Sequence, residues 1–528
     1  MVVSKTATIE CVNPATKEII GAVPIMGPEQ VEDTVALAWE AFDSWQLTDF
    51  SYRARKVMDV RRVIDKISDE IATLISTENG KPLVESYLAE LTGPLDTCVW
   101  LAENAERSLR DQTVHLSNPL MSTKQSLLTY EPLGVVGIIA PWNYPFAIPM
   151  MSVLAAVMCG NTVVLKPSEK SPLIGIKIGE IFKAAGFPDG VVNVITGDRT
   201  TGEALTKTKL AKVIFTGSVE GGSKVMAQVA PNLTPITLEL GGKDPAIVLP
   251  EAPVEWTAQG LVWGAFTNAG QACASIERVY IVKSKNSDKL IESIVNKAKN
   301  LKLGPAIDQE VDIGPMIDEV QLSKVERQVN DARRAGANVL CGGRRRDDLG
   351  GFFYEPTVLT NVTHDMEIMR EETFGPVMPI MVVETEDEAI ELANDSDFGL
   401  TASVWSSNLA RAEAVARDLN VGTVTLNDCL ITHAIPQAPW GGLKKSGFGR
   451  SHSHFGLLDL VNIKHINLDS CGGPHRLWWH PYGPSRVATA RGGLKFLHSG
   501  IVGKPMGLLS FLGNMWLRPK KSPDKHST

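Results

Sequence analysis

The chain has 528 residues, more than one hydrophobic core accommodates, so two or three domains are expected. A composition of 44% hydrophobic and 21% charged residues is globular, and a net charge of -8 argues against wholesale nucleic-acid binding and for small-molecule work. The 7 cysteines are scattered without a CxxC pair, which speaks against a disulfide framework or zinc knuckle and for a reducing, cytoplasmic setting.

The opening MVVSKTATIECVNPATKEII lacks a signal-peptide core, and no stretch approaches the roughly 18–20 uninterrupted apolar residues of a spanning helix. Residues 29–110 read as largely helical: PEQVEDTVALAWEAFDSW repeats apolar residues at helical spacing, and the next such run ends in a glycine and a proline. From 111 to 131 short polar and β-branched pieces suggest an extension leaving the first domain. GVVGIIAP, TVVLKP, VVNVIT and AKVIFTG then read as strands, each followed by a helix, which predicts a mostly parallel sheet covered on both faces. A second α/β set begins near Asp244, with strands PAIVLP, RVYIVKS, VMPIMVVE, TASVWSS and GTVTLN and helices near 286–301 and 317–335. No repeat of fixed period relates the halves.

From Cys471 onward acids nearly vanish while Trp478, Trp479, Phe496 and Trp516 lie among Arg476, Arg486, Arg491, Lys495 and further basic residues. Glycines and prolines there argue against one long amphipathic helix, and the closing RPKKSPDKHST has a disordered composition.

Three residues form the leading catalytic set. Cys273 in FTNAGQACAS sits among small residues that give room around the sulfur; it is either a packed thiol or a nucleophile, the latter needing a positive setting or a helix N-terminus to lower its pKa. Asn143 in APWNYPF follows a predicted strand; it is either a turn residue or an amide donor to an oxyanion. Glu239 in LELGGKDP is either a solvated strand-end acid or a base whose pKa is raised in a partly dry cleft. In IFTGSVEGG, Gly217 permits close approach and Ser218 is a natural helix cap, which makes either an ordinary capped turn or a pyrophosphate site. Lys166 and Glu169 in KPSE are either solvated or placed for ribose hydroxyls. His452 and His454 lack a third ligand, so no metal site is expected.

Together APWNYPF, KPSE, FTGS, LELGGKDP, FTNAGQACAS, EETFGP and PWGGLKKSGFGR, in this order from about residue 10 to 470, closely resemble the NAD(P)-dependent aldehyde dehydrogenase superfamily. The resemblance implies two open α/β domains, one for the cofactor (1–110 and 131–242) and one catalytic (243–445). It adds a small β oligomerisation arm (111–130 and 457–470), with residues 471–528 as a basic aromatic extension. It makes Cys273 the nucleophile, Glu239 the water-activating base and Asn143 the oxyanion donor, helped by the Cys273 backbone N–H. Trp142, Lys166, Glu169, Gly217, Ser218, Glu372 and Phe374 become cofactor contacts. The implied reaction is NAD-dependent oxidation of an aldehyde to a carboxylic acid through a thiohemiacetal and a thioester. The implied assembly is a homodimer or homotetramer.

Glu169 favours NAD, since a carboxylate accepts ribose hydroxyls and repels a 2′-phosphate. The chain departs from the family pattern in three places: the shortened glycine pattern around Arg199, Ser152 where many relatives carry lysine, and SHSHFG after GFGR. Two rival readings are a CoA-acylating enzyme, against which Glu239 speaks, and a catalytically silent homologue. WNYPF and the tail point to an apolar aliphatic or aromatic aldehyde and to a peripheral membrane contact through 471–528.

Overall fold

The computed structural model describes residues 7–118, 121, 123–469, 478–498 and 508. The chain opens with a hairpin of β1 (Thr8–Val12) and β2 (Ile19–Pro24), which the sequence reading passed over. Helices Pro28–Trp45, Phe50–Lys66, Ser68–Asn79 and Thr92–Ser108 follow. The first buries Val31, Val35, Ala38, Phe42 and Trp45, the apolar positions of its helical repeat. Ser86–Leu91, just ahead of the last of them, winds as a π-helical segment.

Next come β3 (Gln112–Val114), β4 (Lys124–Pro132), β5 (Val135–Ile139), β6 (Thr162–Lys166), β7 (Val192–Val194), β8 (Lys212–Thr216) and β9 (Ile236–Glu239). The second half contributes β10 (Asp244–Val248), β11 (Ile276–Val282), β12 (Asn338–Cys341), β13 (Thr357–Thr360), β14 (Val377–Val383), β15 (Phe398–Gly399), β16 (Thr401–Trp405) and β17 (Thr423–Leu426). The short β18 (Leu443–Lys444) and β19 (Gly447–Phe448) precede β20 (Val461–Asp469).

The first large sheet has the order β19-β9-β8-β5-β6-β7, parallel except for the antiparallel β19. Strands β5 and β6 are wholly or nearly buried, as uninterrupted apolar runs between covering helices should be. The chain winds from β5 outward to β7, then returns to β8 on the other side of β5. That reversal opens a crevice at the carboxyl ends of β5 and β8, where ligands of open α/β sheets bind. The second sheet, β12-β13-β14-β11-β10-β16-β17, is parallel except for its edge strand β12. Both sheets lie in one compact unit, residues 1–112 and 128–464.

A small sheet, β20-β4-β3, completes the fold. The second compact unit comprises 113–127 and 465–528. Within it Lys124 pairs with Asp469 at 3.1 Å, and His465 and Asn467 both reach Ser126. Its tail forms a helix over Pro484–His498 despite the glycines. Gly492 and Gly493 are buried there, and this 15-residue helix leaves the reading against one long amphipathic helix untouched. Most of the basic tail expected to bind membranes lies outside the described residues.

Candidate active site

The loops leaving β5, β8 and β9 gather at one end of the first sheet, and the segment from Thr267 to Ser275 approaches from the second. Asn143 is buried just beyond β5. Its Nδ2 donates to the Gln271 carbonyl at 3.2 Å, which ties the amide to the loop that carries Cys273. Asn268 Nδ2 donates to the same carbonyl and to that of Asn143, at 2.9 and 3.0 Å. Asn268 and Ala269 hold positive φ, and Gly270 has φ +70°, so the loop turns sharply before the cysteine. A Cβ on Gly270 would sit 2.2 Å from the Gly375 oxygen, so only glycine fits.

Lys81 and Glu90 hold the Asn143 side from below, a device the sequence reading missed. Lys81 Nζ, fully buried, donates to Glu90 at 2.7 Å and to the Asn143 carbonyl at 2.9 Å. Glu90 in turn accepts the backbone N–H groups of Phe146 and Ala147, opening the helix Ala147–Met158. A charge at a helix terminator such as ENGKP carries no sequence mark of burial.

Cys273 is partly exposed and lines a cavity of about 630 Å³. Tyr144, Trp263, Phe266, Leu430 and Trp440 are among its walls. Among the described residues no lysine or arginine lines it; Glu85 and Asp312 are its carboxylates. Glu85 is committed to Thr267 Oγ1 and the Asn268 N–H, at 2.7 and 2.9 Å. Burial pushes the Cys273 thiol above its ordinary pKa, and the carboxylates of Asp244, Glu239 and Glu372 add to the rise. Among the described residues, no lysine or arginine of the cavity wall supplies the positive setting that would release a thiolate.

Glu239 ends β9, in register with Thr216 on β8 and Gly447 on β19. Desolvation pushes its carboxyl up to about 7, against the opposing pull of Ser451, Trp440 and Arg450. It lines not the large cavity but a neighbouring chamber of about 40 Å³. Ile148, Met151 and His433 belong to the walls of both. The structure thus joins Asn143 to the Cys273 loop and sets Glu239 in an adjoining chamber, near enough for its charge to raise the Cys273 thiol.

The remaining predicted residues follow the crevice. Ser218 caps the helix Val219–Val229, its Oγ accepting the Gly221 N–H at 3.1 Å. Gly217 donates to the Glu239 carbonyl at 3.0 Å, and a Cβ there would lie 2.8 Å from the Phe215 ring. Lys166 is buried at the end of β6, 3.7 Å from the exposed Glu169 carboxylate. Trp142 meets Phe374 edge to face at 5.4 Å. Phe374 holds positive φ, and its N–H and that of Thr373 both reach Glu277, which is paired with buried Lys243. Glu372 accepts the Gly242 N–H at 3.1 Å, and burial beside Glu277 pushes it up to about 7. A Cβ on Gly241 would lie 2.3 Å from that carboxylate. A capped helix start, a buried lysine beside an exposed glutamate and a glycine cradle fit a dinucleotide. Among the described residues no group of His, Cys, Asp or Glu is arranged to hold a metal ion.

The description "Aldehyde dehydrogenase family" belongs to the family model that matches residues 1–466. The chain belongs to the aldehyde dehydrogenase family. It is 37% identical over 461 residues to the mitochondrial succinate-semialdehyde dehydrogenase of Oryza sativa subsp. japonica, covering 87% of this chain and 86% of that one. It is 37% identical over 484 residues to peroxisomal aminoaldehyde dehydrogenase 1 of Pisum sativum, covering 90% and 95%. Among solved structures, an NAD-dependent aldehyde dehydrogenase from Sinorhizobium meliloti superposes with a TM-score of 0.85 at 36% identity, covering 90% and 93%. Betaine aldehyde dehydrogenase from Staphylococcus aureus in complex with NAD+ gives 0.85 at 35%, covering 90% and 94%. This aldehyde dehydrogenase is an NAD-dependent, non-acylating enzyme that oxidises an aldehyde to its carboxylic acid through cysteine chemistry.

Proposed function

We propose that Cys273, Asn143 and Glu239 carry this oxidation and that the aldehyde is apolar, aliphatic or aromatic. Cys273 loses its thiol proton to solvent water, and Sγ adds to the carbonyl carbon to form a thiohemiacetal oxyanion. The second N–H of the Asn143 amide and the Cys273 backbone N–H receive the oxyanion, a contribution of roughly 2.7–4 kcal/mol per donor in a preorganised site. NAD, when bound, supplies the hydride acceptor. Glu239 takes a proton from water, which attacks the resulting thioester and frees the acid. Trp142, Lys166, Glu169, Gly217, Ser218, Glu372 and Phe374 orient the cofactor.

The observation that carries the substrate reading is the cavity wall. It is mostly aromatic and aliphatic, with Glu85 committed to Thr267 and Asn268 and Asp312 the other carboxylate, and without a described lysine or arginine it offers no partner for an anionic tail. This separates the enzyme from the semialdehyde preference named for its rice relative. The test is initial NADH formation from hexanal, decanal, benzaldehyde, succinate semialdehyde and an aminoaldehyde, without CoA, with Cys273→Ala as control. Higher kcat/KM for the apolar aldehydes is expected, with activity lost in the variant. An optimum for either charged aldehyde would reject the substrate reading, and turnover surviving in Cys273→Ala would reject the nucleophile.

The tail supports a second proposal, peripheral contact with an anionic membrane. Within 478–498, Trp478, Trp479, Tyr482 and Leu494 are exposed alongside Arg491 and Lys495, and the segment has no acid. Cations and interfacial aromatics suit an acidic headgroup layer. Full-length protein is expected to co-sediment with anionic liposomes while a chain ending at residue 470 stays in solution; equal absence of binding would end the proposal.

A further inference from the structure

The chamber behind Glu239 has features that the reaction just described leaves unused. Its volume of about 40 Å³ accommodates water, which needs roughly 10–15 Å³ on this measure. Its ionisable wall groups among the described residues are Glu239, His433, Arg450, His452 and Asp459. The helices Thr92–Ser108 and Ala147–Met158 contribute only uncharged side chains such as Trp100 and Ser152. His452 Nδ1 is buried without a hydrogen-bond partner among the described residues. The His433 ring lies 4.9 Å from that of His452. Burial pushes His452 down to about 4 and His433 well below its ordinary value, so both rings are neutral at working pH. A neutral imidazole can accept a proton on one nitrogen and release one from the other.

Asp459 marks the outer end. It accepts Thr237 Oγ1 at 2.5 Å and pairs with Lys212 at 2.9 Å. Thr237 and Glu239 are alternate residues of β9, which puts them on one face. Asp459 and Arg450 also line a surface depression with Gly449, Phe455 and Leu458. The chamber therefore runs from the Glu239 carboxyl to groups that meet solvent, and it adjoins the cavity that Cys273 lines.

We propose that this chamber is the proton exit of the hydrolytic step, with His452 as its carrier. The proton that Glu239 takes from the attacking water passes through water in the chamber to His452 Nδ1. The ring releases a proton from its other nitrogen, which leaves past Asp459 to solvent, and exchange with the chamber water returns the ring to its starting tautomer, so that both it and the Glu239 carboxylate are ready for the next turnover. His433 packs against the carrier where the chamber adjoins the Cys273 cavity, a positioning role. The proposal rests on the reading of Glu239 as the base.

The experiment compares wild type with His452→Ala in two measurements. The NADH burst reports acylation and hydride transfer; decay of the acyl-enzyme, followed by chemical quench, reports hydrolysis. The expected result is a burst within about twofold of wild type and acyl-enzyme decay slowed about tenfold or more, restored by added imidazole. Decay unchanged, a fall shared by the burst, or a fall that imidazole leaves in place would each overturn the exit. Glu239→Gln, run alongside, separates the two readings. Fast decay in that variant would remove the base and the exit together, whereas slow decay there with normal decay in His452→Ala removes the exit alone.

Discussion

A carboxyl held at about 7 by burial, as Glu239 is, has opposite consequences for catalysis and for stability. The ionised form is the base, so acyl-enzyme hydrolysis should fall as pH drops through 7 while the NADH burst, which does not use it, follows a different profile. Stability runs the other way. The folded-state pKa lies above the ordinary carboxyl value, so the fold is favoured fully below about 4.5 and loses that advantage as pH rises through 7. A rise from 4.5 to about 7 corresponds to about 3 kcal/mol. Glu239→Gln is therefore expected to be more stable than wild type by up to about 3 kcal/mol at pH 8 and equal to it near pH 4. Urea unfolding at both pH values checks this, and the same variant should hydrolyse its acyl-enzyme about 10²-fold or more slowly. Equal stability at pH 8 would mean that the carboxyl is not desolvated.

Among the elements, the π-helical turn Ser86–Leu91 carries a disproportionate share of the site because it delivers Glu90 to Lys81 and to the start of the helix Ala147–Met158. Removing one charge of a buried pair strands the other, at a cost of about 3–5 kcal/mol. Lys81→Met should show that loss in urea unfolding and a lower kcat, because the Asn143 carbonyl loses its donor. Lys81→Met combined with Glu90→Gln should recover much of the stability and less of the kcat. If both recover together, the pair stabilises the fold without positioning Asn143. None of this is legible in the sequence. The helices and the strands of both sheets are, because apolar period and punctuation mark them. The hairpin β1–β2 and the strands β12 and β13 escape, being short and mixed in character. The returning strand β19 escapes too, since nothing in SGFGR announces that it will pair with β9.

At the scale of the molecule, motif order conveys the site's residues but not its partition. That Glu239 faces one chamber and Cys273 another depends on Ile148, Met151 and His433, which come from distant segments. What the fold leaves open is an edge. Strand β20 lies at one side of its three-stranded sheet and exposes Ile463, Ile466 and Leu468. An edge strand with exposed apolar residues invites pairing with another chain unless it is covered. The proposed homo-oligomer covers it in the economical way, by pairing copies of the arm. Ile466 and Leu468 alternate onto one face, so charges placed at both should oppose that pairing together. Light scattering on wild type should give a dimer or tetramer mass. Ile466→Lys with Leu468→Lys should give the monomer mass, with the far-ultraviolet circular dichroism unchanged. A variant that keeps the wild-type mass would show that the copies meet through another surface, and a wild type already monomeric would show that this edge stays in water.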